Sequence, residues 1–187
     1  MSTKHPIIAI TGSSGAGTTS VTKTFQHIFR RESINAAVIE GDSFHRYDRA
    51  GMKAKMAEEE AAGNGHFSHF GPESNLFEEL ETLFRGYGEN GRGKFRHYAH
   101  DDEEAPRYGT PSGTFTEWTD LPTDSDLLFY EGLHGAVKTA HVDVGRHVDL
   151  CIGVVPIINL EWIQKIHRDK ARRGYSTAAV MDTIMRR

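Results

Sequence analysis

The sequence predicts an α/β fold in which a mainly parallel sheet carries helices on both faces, a three-layer sandwich. Two observations carry the prediction. Short apolar runs rich in β-branched residues alternate with longer stretches whose apolar residues recur at three- and four-residue spacing, the pattern of parallel strands joined by helices. A glycine-rich segment, residues 12–19, falls between the first such run and the first amphipathic stretch, where a strand hands over to a helix.

The first strand is expected over residues 7–11 and the first crossover helix over 19–31, where Val21, Phe25, Ile28 and Phe29 share a face. The second strand follows over 36–40. Leu76, Leu80, Leu83 and Phe84 then mark a helix over 72–85. Residues 86–124 read differently. Gly86, Gly88, Gly91 and Gly93 indicate a loop, and 95–98 and 114–118 have the look of short paired strands, an inserted hairpin region within a single domain spanning 1–187. Further strands are expected over 126–130 and 149–155. A helix from Leu160 to about Arg173 stops at Gly174 and restarts after Ser176 as N-cap. Four strands and a closing helix that reaches Arg187 without a cap predict that a C-terminal portion of the fold is missing.

Composition narrows the classes. With 187 residues, 37% hydrophobic and 26% charged, the chain has material for one core and is neither fibrous nor disordered. Its longest apolar stretch, 151–158, is broken by Gly153 and Pro156 and falls well short of the roughly 20 residues of a bilayer-spanning helix, so no membrane association is expected. Residues 1–6 lack the apolar core of a signal peptide, and the single Cys151 cannot form an internal disulfide; both point to the cytoplasm. A net charge of -4 argues against nucleic acid as a partner, since such a face must be basic.

The strongest motif is Gly12, Ser13, Ser14, Gly15, Ala16, Gly17, Thr18 and Thr19, followed by Ser20. Consecutive amides in a glycine-rich turn at a helix N-terminus converge on one point and bind the β- and γ-phosphates of a nucleotide, which predicts ATP as the cofactor. Thr19 holds the position whose hydroxyl coordinates Mg²⁺. Thr18 stands where such loops normally carry lysine, so a cation must come from elsewhere. The next helix to carry dense positive charge holds Lys165, Arg168, Lys170, Arg172 and Arg173, with Asp169 four residues after Lys165. In an open parallel sheet, ligands sit beyond the carboxyl ends of the strands. Asp42 follows the second strand and is a candidate to accept a proton from an attacking hydroxyl, or a cap; Glu131 ends the third strand and, with Asp42, is a candidate for the metal shell. His45, Arg49 and Lys53 recur every four residues and would share a face if that segment is helical, where they could hold an anionic substrate. The pairs His66 with His69 and His97 with His100 lack the partners of a zinc site.

Residues 12–19, 40–46, 67–75, 98–102, 130–136 and 155–175 together make the chain resemble the bacterial phosphoribulokinases, most specifically the run from Asn159 through Leu160, Glu161 and Trp162 to Asp169. A lysine-free loop is itself a feature of that family. The resemblance implies a P-loop kinase fold and transfer of the ATP γ-phosphate to the 1-hydroxyl of D-ribulose 5-phosphate, giving the carbon dioxide acceptor of the Calvin cycle. It implies Asp42 as base, Glu131 as metal-associated acid, Asp169 as a further catalytic carboxylate, and Lys165 and Arg168 as cations that stabilise transfer. His45, Arg49, Lys53, His100 and Arg173 would contact the sugar phosphate. It also implies a homo-oligomer that responds to NADH and AMP, with Arg31 and Arg187 as candidates for that response. A uridine or pantothenate kinase would use the same fold on a neutral acceptor, against which the cluster His45, Arg49, Lys53 and Arg173 weighs; a noncatalytic nucleotide-binding adaptor is the third reading.

Overall fold

In the computed structural model, residues 4–13 and 15–185 are described, without the side chains of Arg172 and Arg173. The glycine-rich segment leaves β1 (Ile7–Gly12) and enters α1 (Thr18–Arg31), which crosses to β2 (Ala36–Glu40). β5 (Leu127–Gly132) inserts between β1 and β2, and β6 (Leu150–Val154) lies on the other side of β1, giving the order β2-β5-β1-β6 with every pairing parallel. The chain therefore leaves β1 toward one side of the sheet and later crosses to the other. That arrangement opens a crevice at the carboxyl ends of β1 and β5.

Strand alternation sends successive side chains to opposite layers. Ile7 and Ala9 of β1, Ala37 and Ile39 of β2, and Leu128 and Tyr130 of β5 meet α3 (Phe77–Asn90) through Leu80, Leu83, Phe84 and Tyr87. On the opposite face Ile10, Leu127 and Phe129 meet Phe29 of α1, with Val21 and Phe25 beside it. Phe25, Phe29 and Phe129 form a ring cluster with centroids 5.2 to 5.8 Å apart. Each such fully buried side chain stabilises the fold by roughly 1.5–3 kcal/mol. Ile28, expected on the buried face of α1, is turned outward and 37% exposed.

The helix expected over 72–85 is displaced. Pro72–Ser74 form a short 3-10 turn, and the following residues pair with the segment after β2: Arg46 N–H donates to Ser74 O and Leu76 N–H to Phe44 O, both at 2.8 Å. That pairing delays α3 to Phe77, and the helix then runs through Gly86 and Gly88, which read as loop in the sequence. The stripe Leu80, Leu83, Phe84 is continued by Tyr87, which is fully buried. Its burial outweighs the roughly 1 kcal/mol that each helical glycine costs. Gly91, left-handed at φ 70, ends the helix.

The inserted hairpin is shorter than expected. β3 (Lys94–Phe95) pairs antiparallel with β4 (Thr119–Asp120), and only the isolated bridge of Tyr98 with Phe115 continues it. Two helices were not delineated by apolar spacing: α2 (Arg49–Ala61), capped by the Asp48 carboxylate accepting from Gly51 N–H at 2.7 Å, and the one-turn α4 (Ala105–Tyr108). α5 (Ile158–Arg173) starts two residues before the expected Leu160 and ends at Gly174, φ 67. Ser176 caps α6 (Thr177–Met185), its hydroxyl accepting from Ala179 N–H at 3.2 Å. Among the described residues no helix is long and apolar enough to cross a membrane.

Candidate functional site

The loop after β1 turns tightly, with Ala16 N–H donating to Ser13 O at 2.9 Å, and Gly15 and Gly17 both take left-handed φ values of 98° and 97°. A side chain at Gly15 would be strained by that φ and would also press on α5, its Cβ lying 3.2 Å from Glu161 O and 3.3 Å from Lys165 Cβ. A Cβ at Gly12 would meet Val154 O at 2.8 Å. Gly12 and Gly15 leave backbone, not side chains, as the lining of this turn, and Ser20 N–H donates to Gly17 O at 3.0 Å as α1 begins. Ser14 lies outside the described residues.

Three carboxylates gather at the strand ends beside this loop. Glu40 and Glu131 are register partners on β2 and β5. Burial raises both pKa values; for Glu131 a hydrogen bond from the Thr18 side chain works the other way. Thr18, in the position usually held by lysine, thus lies beside Glu131. Gly41 packs against Gly132, which brings Asp42, in the 3-10 turn Gly41–Phe44, to the same edge.

Asp42 is gripped by two imidazoles. His100 Nε2 donates to Oδ2 at 2.9 Å, and His45 Nε2 approaches Oδ1 at 3.3 Å. Burial of the surroundings works to raise the Asp42 pKa, but the bonds and charges of His100 and His45 overcome it and hold the carboxyl well below its usual range. Its side chain stays 48% exposed, so a ligand can reach it. Burial lowers the pKa of both histidines, yet Asp42 reverses that: His45 is raised, and His100, aided by Glu104, is pushed up to about 9. His100 is therefore an imidazolium at neutral pH and donates from both ring nitrogens.

Arg49 and Lys53 lie on α2, but His45 precedes that helix in extended conformation, so the three do not share a helical face. Arg49 braces the neighbouring loop: its guanidinium donates to His100 O and, at 3.3 Å, to Ser112 Oγ. Lys53 is exposed. On α5, Lys165 and Asp169 are 5% and 2% exposed, and Asp169 accepts from Lys165 Nζ at 3.1 Å and Arg168 Nε at 2.9 Å. Burial would raise the Asp169 pKa, but Arg168 and Lys165 hold it lowered. The Arg173 side chain and Arg187 lie outside what is described; Arg31, at the end of α1, bonds Glu32 Oε1 at 2.7 Å.

Sequence reasoning missed the residues that hold the histidines. Asn75, 1% exposed, accepts from His45 Nδ1 through Oδ1 at 2.8 Å, its amide nitrogen being spent on His69 O and Gly71 O. Arg96 donates to Ser43 O and His45 O while stacking over Phe115 and Trp118. Glu104 accepts from His100; its position four residues after that histidine was the available signal. The hydroxyl of Thr19 with the carboxylates of Glu131 and Asp42 is a hard oxygen set of the kind Mg²⁺ takes. Among the described residues no three His, Cys, Asp or Glu side chains converge into a metal site of their own.

The model of the phosphoribulokinase / uridine kinase family matches residues 7–187. A phosphoribulokinase of Nitrobacter vulgaris is 67% identical over 98% of the chain and 63% of its own length. The chromosomal phosphoribulokinase of Cupriavidus necator is 67% identical over the whole chain and 64% of its own length. The solved phosphoribulokinase from Rhodobacter spheroides superposes with a TM-score of 0.85 at 56% identity, over 98% of this chain and 63% of that one. The chain thus spans somewhat less than two thirds of the length of these relatives. With the glycine-rich loop, the strand-end acids and the parallel order all in place, the chain belongs to the phosphoribulokinase / uridine kinase family.

Proposed function

We propose that the chain carries the catalytic site of an ATP-dependent kinase that phosphorylates the 1-hydroxyl of D-ribulose 5-phosphate, yielding ribulose 1,5-bisphosphate. The observation that carries the reading is the Asp42 carboxylate held between two imidazoles at the loop-facing edge of the sheet, with Arg49 behind. A neutral acceptor such as a nucleoside calls for no such cluster of positive charge, whereas a sugar phosphate does. The relatives' names point the same way.

In this reading residues 12–20 bind the ATP phosphates through backbone amides, and Thr19 and Glu131 would hold Mg²⁺, which would supply charge neutralisation on the phosphates. The acceptor oxygen attacks the γ-phosphorus, the bond from that phosphorus to the β-γ bridging oxygen breaks, and the hydroxyl proton passes to Asp42. Asp42 is a weak base because its histidines stabilise the charged form. It suffices because the transition state is loose and the proton leaves late, once the attacking oxygen has become acidic. His45, His100, Arg49, Lys53 and Arg173 hold the acceptor. Lys165 and Arg168, beside the loop on α5, supply the charge that Thr18 does not, and Asp169 keeps them in place. The same reading makes the protein cytoplasmic, in keeping with the free thiol of Cys151, and a homo-oligomer responsive to NADH and AMP.

The test is Mg²⁺-dependent ATP consumption with ribulose 5-phosphate or uridine as acceptor. Turnover with ribulose 5-phosphate and none with uridine is expected. Turnover with uridine alone, or ATP binding with no turnover on either, refutes the assignment.

A further inference from the structure

Resting on the acceptor site proposed above, we propose that Glu104 is a positioning residue for Asp42: acting through His100, it commits Nε2–H to Oδ2 of Asp42 and leaves Oδ1 as the oxygen that meets the acceptor hydroxyl. The geometry is a continuous chain. Glu104 Oε2 accepts from both the backbone N–H of His100, at 2.8 Å, and its Nδ1, at 2.9 Å. With Nδ1 anchored, the ring plane is set and Nε2 meets Asp42 Oδ2 at 2.9 Å.

Glu104 is itself held. Asp101 Oδ1 accepts from the N–H groups of Glu103 and Glu104, each at 3.0 Å, and Asp101 O from Ala105 N–H at 3.1 Å. His100 is fixed from its other sides by Arg49 on its carbonyl and by the Tyr98 ring, whose centroid is 5.0 Å away and nearly perpendicular. The two arms on Asp42 are unequal. The His100 arm is backed by a carboxylate, whereas the His45 arm is backed by the neutral amide of Asn75 and reaches Oδ1 only at 3.3 Å. Charge-assisted bonds are shorter and stronger, so Oδ2 stays engaged and Oδ1 is the oxygen a hydroxyl can take over.

The test uses the full chain with Glu104→Ala, Glu104→Asp and Glu104→Gln, read by steady-state kinetics and by the ¹⁵N signals of the His100 ring without substrate. Ala, and Asp with its shorter reach, should lower kcat/KM for ribulose 5-phosphate by about 10- to 100-fold and leave KM for ATP unchanged. Both should also shift the His100 ring-nitrogen signals. Gln, whose amide oxygen can accept the same two bonds but brings no charge, should fall between Ala and the wild type. Folded Ala or Asp variants with wild-type kinetics, or Gln as impaired as Ala, overturn the proposal. If the wild-type chain does not phosphorylate ribulose 5-phosphate, the functional reading fails. The ring signals then decide Glu104 alone, and unshifted signals overturn its role.

Discussion

Asp42→Asn isolates the centre of the site. The substitution keeps the shape of the side chain, removes its charge, and leaves one oxygen facing two imidazole donors. In the native chain the His100 pKa is raised from 6.5 to about 9, Asp42 being its foremost charged partner. A shift of that size corresponds to an interaction on the order of 3 kcal/mol. Without the carboxylate, burial pulls the imidazole down again and only Glu104 still favours the charged form, so the His100 pKa should fall by at least about one unit. The sign for stability follows from linkage. A raised histidine stabilises the fold fully below its unfolded value of 6.5 and loses that contribution as pH rises through about 9. The wild-type chain should therefore lose stability across that window, and Asp42→Asn should be flatter there. Turnover should fall by about 10² to 10⁴ as the proton acceptor is lost, with both Michaelis constants little changed. The measurements are an NMR titration of His100, denaturant unfolding between pH 6.5 and 9, and initial rates in saturating Mg²⁺. Turnover within about threefold of wild type, far from the general-base range, removes Asp42 as base; a His100 pKa that stays near 9 shows that Asp42 is not what raises it.

Asp169→Asn removes the buried carboxylate that accepts from Lys165 Nζ and Arg168 Nε. Breaking a buried pair costs about 3–5 kcal/mol, so the denaturation midpoint should drop markedly, and an unchanged midpoint counts against the burial of the pair. Gly15→Ala places a Cβ at φ 98 against Glu161 O and Lys165 Cβ. It should lose about 1–2 kcal/mol from the backbone alone and weaken ATP binding measured by calorimetry, and wild-type affinity would mean that the loop does not cradle the nucleotide.

Much of this architecture was legible in local pattern. The strands β1, β2 and β5 declare themselves through β-branched runs, and a glycine-rich turn between β1 and an amphipathic helix admits few other geometries. The stop at Gly174 and the cap at Ser176 are equally local, because left-handed backbone and a hydroxyl cap depend on one residue each. What lay beyond local pattern was decided by pairing across distance. The pairing of residues 74–76 with 44–46 delays α3, and burial of Tyr87 carries it through two glycines. Lys165 reads as one charge on a basic helix, but packing under the loop buries it with Asp169. At the site itself the sequence singles out Asp42, His45 and His100 separately. Only the tertiary structure joins them, because their bonds to one another, to Asn75 and to Glu104 span from 3 to 58 residues of chain and depend on where the sheet sets the ends of β2 and β5.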